Sequence, residues 1–382
     1  MIKNKVESPT NTFKNSIVMF MCGDVMLGRG IDQILPHPGN PEIHEEYMKS
    51  ARGYVEIAEK RNGPIPSPLG YSYVWGEVLE ELERISPDLK IVNLETSVTK
   101  SNDYWKGKEI NYRMNPENIN CLREVRIDCC SLANNHVLDW GYSGLKETLE
   151  TLNRAGIKNA GAGRTIEEAQ APAMMKIKGK GRILIFSYGV ITSGIPLNWK
   201  ASTEKPGINL IENLTDERVK SIKERIEKIK EQGDIVIMSI HWGGNWGYEI
   251  PSAQIKFAHK LIDEAGVDVI HGHSSHHVKG LEVYRDKLII YGSGDFLNDY
   301  EGISGYEHFR GDLGLMYFVS VEPSTGKLLQ LQMTPTQIKY FKVNKASEKD
   351  GVWLRDILNR EGRKFGTQAR LTKDGALLLE WI

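Results

Sequence analysis

Short apolar runs alternate with helix-length amphipathic stretches along the chain, and five of the runs stop at a side chain able to bind metal. Residues 16–22 lead into Gly23-Asp24, and residues 89–92 into Asn93-Leu94-Glu95. Residues 127–133 meet Asn134-Asn135-His136, and residues 235–240 meet His241-Trp242-Gly243. Residues 267–270 open onto His271-Gly272-His273-Ser274-Ser275-His276-His277. Short β-branched runs that follow helical stretches predict buried parallel strands. In open α/β sheets, ligands sit beyond the carboxyl ends of such strands. The pattern predicts one sheet edge gathering Asp24, Glu95, Asn135, His241 and the histidine cluster.

Helices are predicted over 76–85, near 116–124, and over 141–155, 216–232 and 252–265, with further strands at 182–188 and 287–291. Residues 1–15 read as a flexible lead-in. Residues 36–76 are rich in Pro and Gly around a short helical stretch near 45–60, and carry Tyr71, Tyr73 and Trp75. So long an irregular segment predicts an ordered flap, with a surface excursion as the plainer alternative. Glycines in 156–163 resemble a phosphate cradle but lack GxGxxG and a P-loop lysine. After about Asp312 the pattern turns to antiparallel strands, one helix over 352–361 and a hairpin around Lys373-Asp374-Gly375.

Composition narrows the classes. A formal net charge of −1 in 382 residues argues against broad nucleic-acid binding. Four cysteines without CxxC spacing read as buried free thiols in a reducing compartment. No apolar run approaches the ~20 residues of a membrane span, so a cytoplasmic protein without an integral membrane segment is expected.

Two cations about 3.5–4 Å apart can clamp a substrate oxygen and activate water. Glu95 is the natural bridge, with Asp24 a terminal or second bridging ligand. Asn135 offers an amide oxygen, and His241, His273 and one of His276 or His277 offer imidazoles. Mixed oxygen and nitrogen donors without thiolate suit one or two divalent ions such as Mn, Fe, Zn, Ni or Ca. His136, beside Asn135, is a candidate general acid or base. Asp139 would orient its ring, or else cap the next helix. Arg29, the cation of the first loop, could fork onto an anionic substrate oxygen or pair with a surface acid. Trp242 and Trp246, on a glycine-rich loop with Tyr248, are candidate pocket walls, or core.

Gly-Asp-Val-Met-Leu-Gly-Arg at 23–29, Asn-Leu-Glu at 93–95, Ala-Asn-Asn-His at 133–136, His-Trp-Gly at 241–243 and the Gly-His cluster at 272–277 resemble the CapA family. This is the poly-γ-glutamate or capsule synthesis group of the calcineurin-like metallophosphoesterase superfamily. The resemblance implies a four-layer α-β-β-α sandwich and a two-metal site in which Asn135 ligates and His136 is catalytic. It spans about 16–320, with 36–76 as an insertion and 321–382 as a C-terminal extension packed on the same domain. Three departures stand out. Asp24-Val25-Met26 lacks the superfamily's Asp-x-His, and His273-Ser274-Ser275-His276-His277 replaces His-Pro-His. Gly294-Asp295-Phe296 carries Asp295 where the family has Asn, a carboxylate that could bind metal or act as a base. The reading is a metal-dependent hydrolase using metal-activated water on a phosphoester or γ-glutamyl, peptide-like amide. Its substrate would be an anionic polymer or peptide-like chain. A peptide epimerase and a non-catalytic polymer-binding protein are the alternatives.

Overall fold

Successive side chains of a strand point to opposite faces, and in this chain each apolar run is thereby split between two cores. The structure is a computed structural model describing residues 16–382. The expected lead-in, 1–15, lies outside the described residues. Ile17–Val25 (β1), Leu89–Leu94 (β2) and Cys129–Ser131 (β3) are parallel neighbours in one sheet. Ile235–His241 (β4) and Val269–His273 (β5) are parallel neighbours in a second. The single sheet edge expected from the pattern is therefore corrected to two. Apolar periodicity does not say which strands hydrogen-bond to which, and β4 and β5 pair only within the second sheet.

Met19, Met21, Ile91 and Cys129 of the first sheet meet Ile185, Ile235, Ile237 and Val269 of the second in a core between the sheets. Their neighbours Phe20, Cys22, Val92 and Cys130 face the other way, towards helices Arg52–Asn62 (α1) and Gly141–Arg154 (α2). On the far side Leu184, Phe186, Val236, Met238 and Ile270 face Asp216–Glu227 (α3) and Ser252–Asp263 (α4). The result is a helix–sheet–sheet–helix sandwich. Helix α2 presents Leu145, Leu149 and Leu152, one stripe at helical spacing, to the core. Helix α3 starts where Thr215 accepts from the Arg218 N–H, with Asp216 and Glu217 in its first turn. The C-terminal residues continue the first sheet. Leu313–Val321 pairs antiparallel with β1, followed by Leu328–Ile338 and the hairpin of Thr367–Leu371 with Leu377–Trp381. The helix expected over 352–361 runs from Glu348 to Gly362. All four cysteines are free and buried. Among the described residues no helix is long and apolar enough to cross a membrane.

A short strand, Asp295–Leu297 (β6), runs parallel to the end of β1 and sets Asp295 opposite Asp24. This approach requires Gly23, because a Cβ there would lie 1.5 Å from the Gly294 carbonyl oxygen. Gly23→Ala is expected to destabilise the fold by at least about 3 kcal/mol, read as a shifted urea midpoint. An unchanged midpoint would mean β6 does not pack against β1 at this distance.

The insertion at 36–76 is tied down by its aromatics. Trp75 is buried and its Nε1 donates to the Cys121 carbonyl (2.7 Å), while the Tyr73 hydroxyl donates to the Tyr340 carbonyl (2.8 Å). These rings anchor the segment to the body. Gly161 of the glycine-rich stretch packs against Ser187 and Ala133, so it serves strand packing where a phosphate cradle was considered.

Candidate metal centre

The five strand ends converge where the two sheets face each other. Asp24 stands at the end of β1, in register with Asn93 of β2 and Asp295 of β6. Its carboxylate belongs to two groups whose ligand atoms all lie within 4.8 Å of one another: Asp24, His241 and His273, and Asp24, His276 and Asp295. All five residues are buried. The sharing atom set thus centres on Asp24, where the sequence suggested Glu95.

Proton bookkeeping along the second sheet shows what the first group lacks. His271 Nε2–H donates to the Cys22 carbonyl (2.8 Å), so its Nδ1 accepts from Ser239 Oγ (3.2 Å). Ser239 Oγ in turn accepts from Ser131 Oγ (2.6 Å) and from His273 Nε2–H (3.0 Å). His273 Nδ1 is left bare. His241 Nε2–H donates to Asn135 Oδ1 (2.9 Å), which leaves His241 Nδ1 bare as well. These two lone pairs stand 2.7 Å apart. Facing lone pairs repel, and a cation bound by both removes the repulsion. The donor set therefore fits a divalent ion, while Asn135, expected as a ligand, sits at the far ring nitrogen of His241.

Electrostatics point the same way. Burial lifts the Asp24 carboxyl to about 6. Burial, then the neighbouring Asp24, lifts Glu95 well above the carboxylate range. Burial holds the His136, His241 and His273 imidazoles well below their usual value, so they are neutral ligand types. Burial lowers His276, but Asp295, whose Oδ1 lies 2.9 Å from Nδ1, and Asp24 together raise it. Asp24 and Glu95 are thus two buried neighbouring carboxyls whose ionised forms call for a nearby cation. Ser274 holds φ +100° to aim its N–H at Asp24 Oδ2 (3.3 Å), a strained conformation kept at the site. Amides brace the floor: Asn93 donates to Asp24 Oδ1 (2.7 Å), and Asn134 donates to Asn93 Oδ1 (3.0 Å).

His136 stands beside this cluster and in neither group. Its Nε2 is 3.7 Å from Glu95 Oε1. Its Nδ1 lies 2.7 Å from Asp139 Oδ2 and 2.9 Å from Lys108 Nζ, and Tyr112 stacks on the ring at 3.8 Å. Lys108 also donates to Asp139 Oδ1 (2.5 Å) and to the Ile110 carbonyl (2.9 Å). Asp139 is occupied by these contacts and by the Tyr112 N–H, and the following helix has no side-chain cap. Burial lifts the Asp139 carboxyl to about 7. Lys108 and Tyr112 have no counterpart in the sequence reading. They lie in an aperiodic loop that the parallel pairing of Ser97-Val98 with Arg113-Met114 and the bonds to Asp139 carry to the site.

Several expected contacts are corrected. Arg29 is 2% exposed and committed to Asp299 (2.5 and 3.1 Å) and Glu45 (2.9 Å), with Tyr54 and Tyr112 against its guanidinium. Its burial and its two carboxylate partners turn it from a substrate fork into a link between the first loop, Glu45 and Asp299. Trp242 is core, its Nε1 donating to the Tyr291 carbonyl (2.9 Å). Trp246 instead packs against His276 and lines an open cleft. His277 spends both ring nitrogens on backbone, donating to the Val278 carbonyl and accepting from the Gly247 N–H. That leaves His276 facing Asp24 and Asp295.

Residues 18–300 match the profile of the family described as bacterial capsule synthesis protein PGA_cap. A Mycobacterium tuberculosis (strain CDC 1551) protein described as a probable polyglutamine synthesis accessory protein is 42% identical over 362 residues, covering 94% of this chain and 95% of its own. The PGA biosynthesis protein CapA of Bacillus subtilis (strain 168) is 26% identical, covering 100% of this chain and 87% of its own. The capsule biosynthesis protein CapA of Bacillus anthracis is 25% identical over 74% of this chain and 60% of its own.

Proposed function

The chain belongs to the bacterial capsule synthesis family to which the CapA proteins belong, and from that footing we propose that it is a metal-dependent hydrolase. Its substrate is a γ-glutamyl or other peptide-like amide in an anionic polymer, or a phosphoester. The observation carrying this reading is that one buried carboxylate, Asp24, completes two ligand groups at once. Asp24, His241 and His273 would hold one divalent ion, and Asp24, His276 and Asp295 a second, with Glu95 alongside and Asn135 orienting His241 from its Nε2. Such ions supply Lewis acidity and lower the pKa of water. The chain's own residues handle the proton. His136 delivers it from Nε2 to the leaving group, and Asp139, Lys108 and Tyr112 fix its ring. Polymer as substrate rests on the relatives' descriptions, which name polyglutamine, PGA and capsule synthesis. The free buried thiols suit a reducing compartment, and we place the activity in the cytoplasm.

The His276–Asp295 pair across Asp24 from His136 favours one second reading, a peptide epimerase with two proton-exchanging groups. One experiment separates these. Protein purified without chelator is assayed on a phosphodiester and on a γ-glutamyl anilide in heavy water, then after chelation and after metal return. Turnover lost on chelation and restored by metal is expected. Deuterium incorporation without cleavage would favour the epimerase. Bound metal with neither outcome would leave a polymer-binding accessory role and end the hydrolytic reading.

A further inference from the structure

Two phenols connect the histidines on either side of the centre. Tyr112 stacks on His136 with ring centroids 3.8 Å apart, and Tyr300 stands edge-on to His276 at 5.3 Å. Their hydroxyls hydrogen-bond to each other, so the pair bridges from one histidine to the other. Backbone bonds set both residues in place. The Tyr112 N–H donates to Asp139 Oδ2 (2.6 Å), and its carbonyl accepts from Trp140 Nε1 (3.1 Å). The Tyr300 N–H donates to Asn298 Oδ1 (3.1 Å), and Asn298 Nδ2 donates to Asp295 Oδ2 (2.6 Å). The turn after β6 thus carries a member of the second ligand group and a phenol together.

Counting protons gives the pair a direction. A phenol has one proton and keeps it near neutral pH, and burial lifts both of these phenols further. The mutual hydrogen bond uses one of the two protons. Neither hydroxyl has another partner among the described residues, so the other proton has no acceptor. Tyr112 is 2% exposed, whereas Tyr300 is partly exposed and lines the open cleft of about 550 Å³ beside Trp246. A donor without an acceptor costs most where neither water nor a ligand reaches it. Tyr112 therefore donates to Tyr300, and the Tyr300 O–H is the unspent donor. Asp295 and Glu95 both act on this phenol through their charge, which places it at the rim of the centre.

We propose that Tyr300 is a catalytic residue that contacts substrate: its hydroxyl, oriented by Tyr112, donates to the carbonyl or phosphoryl oxygen of a group bound beside Asp24, His276 and Asp295. A fixed donor aimed where negative charge develops on oxygen stabilises that charge without reorganising. No proton changes hands at Tyr300, and proton delivery stays with His136. The assignment rests on the reading above for where substrate sits, and not on hydrolysis itself.

The test compares the metal-containing full chain with its variants Tyr300→Phe and Tyr112→Phe, which keep both rings. Calorimetric titration with inorganic phosphate, an oxyanion that needs no turnover, is the first readout. Tyr300→Phe is expected to bind phosphate at least about tenfold more weakly than the wild type, and Tyr112→Phe no more than about threefold more weakly, because Tyr300 then still has its proton. Circular dichroism and metal content should be unchanged in both. On the γ-glutamyl anilide and the phosphodiester, Tyr300→Phe should lower kcat at least about tenfold and leave KM near its wild-type value. The substrate affected tells a carbonyl from a phosphoryl oxygen. Phosphate affinity unchanged in Tyr300→Phe, equal losses in the two variants, or no phosphate binding to the wild type would overturn the assignment. A loss of phosphate affinity specific to Tyr300→Phe, without turnover of either substrate by any of the proteins, would end the hydrolytic reading alone. Wild-type kcat in Tyr300→Phe would end the assignment alone.

Discussion

His136→Ala is expected to keep its metal and to lose about 100- to 10,000-fold in turnover, the range of a general acid–base group. The ring belongs to neither ligand group, and its Nδ1 is taken up by Asp139 and Lys108 at 2.7 and 2.9 Å. Only Nε2 faces the centre, 3.7 Å from Glu95. Metal analysis and steady-state kinetics on the same sample check this. A variant that loses its metal would show that His136 is a ligand.

Asp24→Asn is expected to act on both ligand groups together. Its carboxylate is common to them, so metal affinity should fall by more than about 100-fold, beyond the loss usual for groups behind the ligands. Turnover should vanish with it. The fold should survive with a local loss, because the new amide nitrogen must face one of the two donors, Asn93 Nδ2 or the Ser274 N–H, that now point at the carboxylate. The folded carboxyl is raised to about 6 from 3.8, so ionising it opposes folding. That penalty grows as pH rises from the unfolded value through about 6 and is complete above it. Relative to the metal-free wild type, metal-free Asp24→Asn should therefore gain stability as pH rises to about 6. A companion Glu95→Ala assigns the bridge. If that variant loses both ions while Asp24→Asn keeps one, the bridge is Glu95, as the sequence alone suggested.

The strand ends were legible because their signal is local. An apolar run of strand length followed by Asp, Glu, Asn or His announces itself without any knowledge of the partner strand. The layers were legible from the resemblance, and alternation along β1 and β4 explains them. Pairing was not legible. Arg29 finds Glu45 16 residues away and Asp299 270 residues away, and nothing near Arg29 in the chain marks either acid. Trp242 and Trp246 sit on one loop, yet the first still follows its strand inward to Tyr291 while the second turns out towards the cleft. Lys108 and Tyr112 carry no periodicity or motif, and long-range pairing alone places them at His136. The neighbours His276 and His277 were separated by their backbone partners, which spacing does not reveal.

The central claim is that Asp24 binds metal shared between two ligand groups. Anomalous diffraction from crystals grown without chelator tests it most directly. The account predicts a peak within bonding distance of Asp24, His241 and His273, and a second about 3.5–4 Å away beside His276 and Asp295. No anomalous density at Asp24, with His241 and His273 bonded nitrogen to nitrogen through a proton, would contradict it.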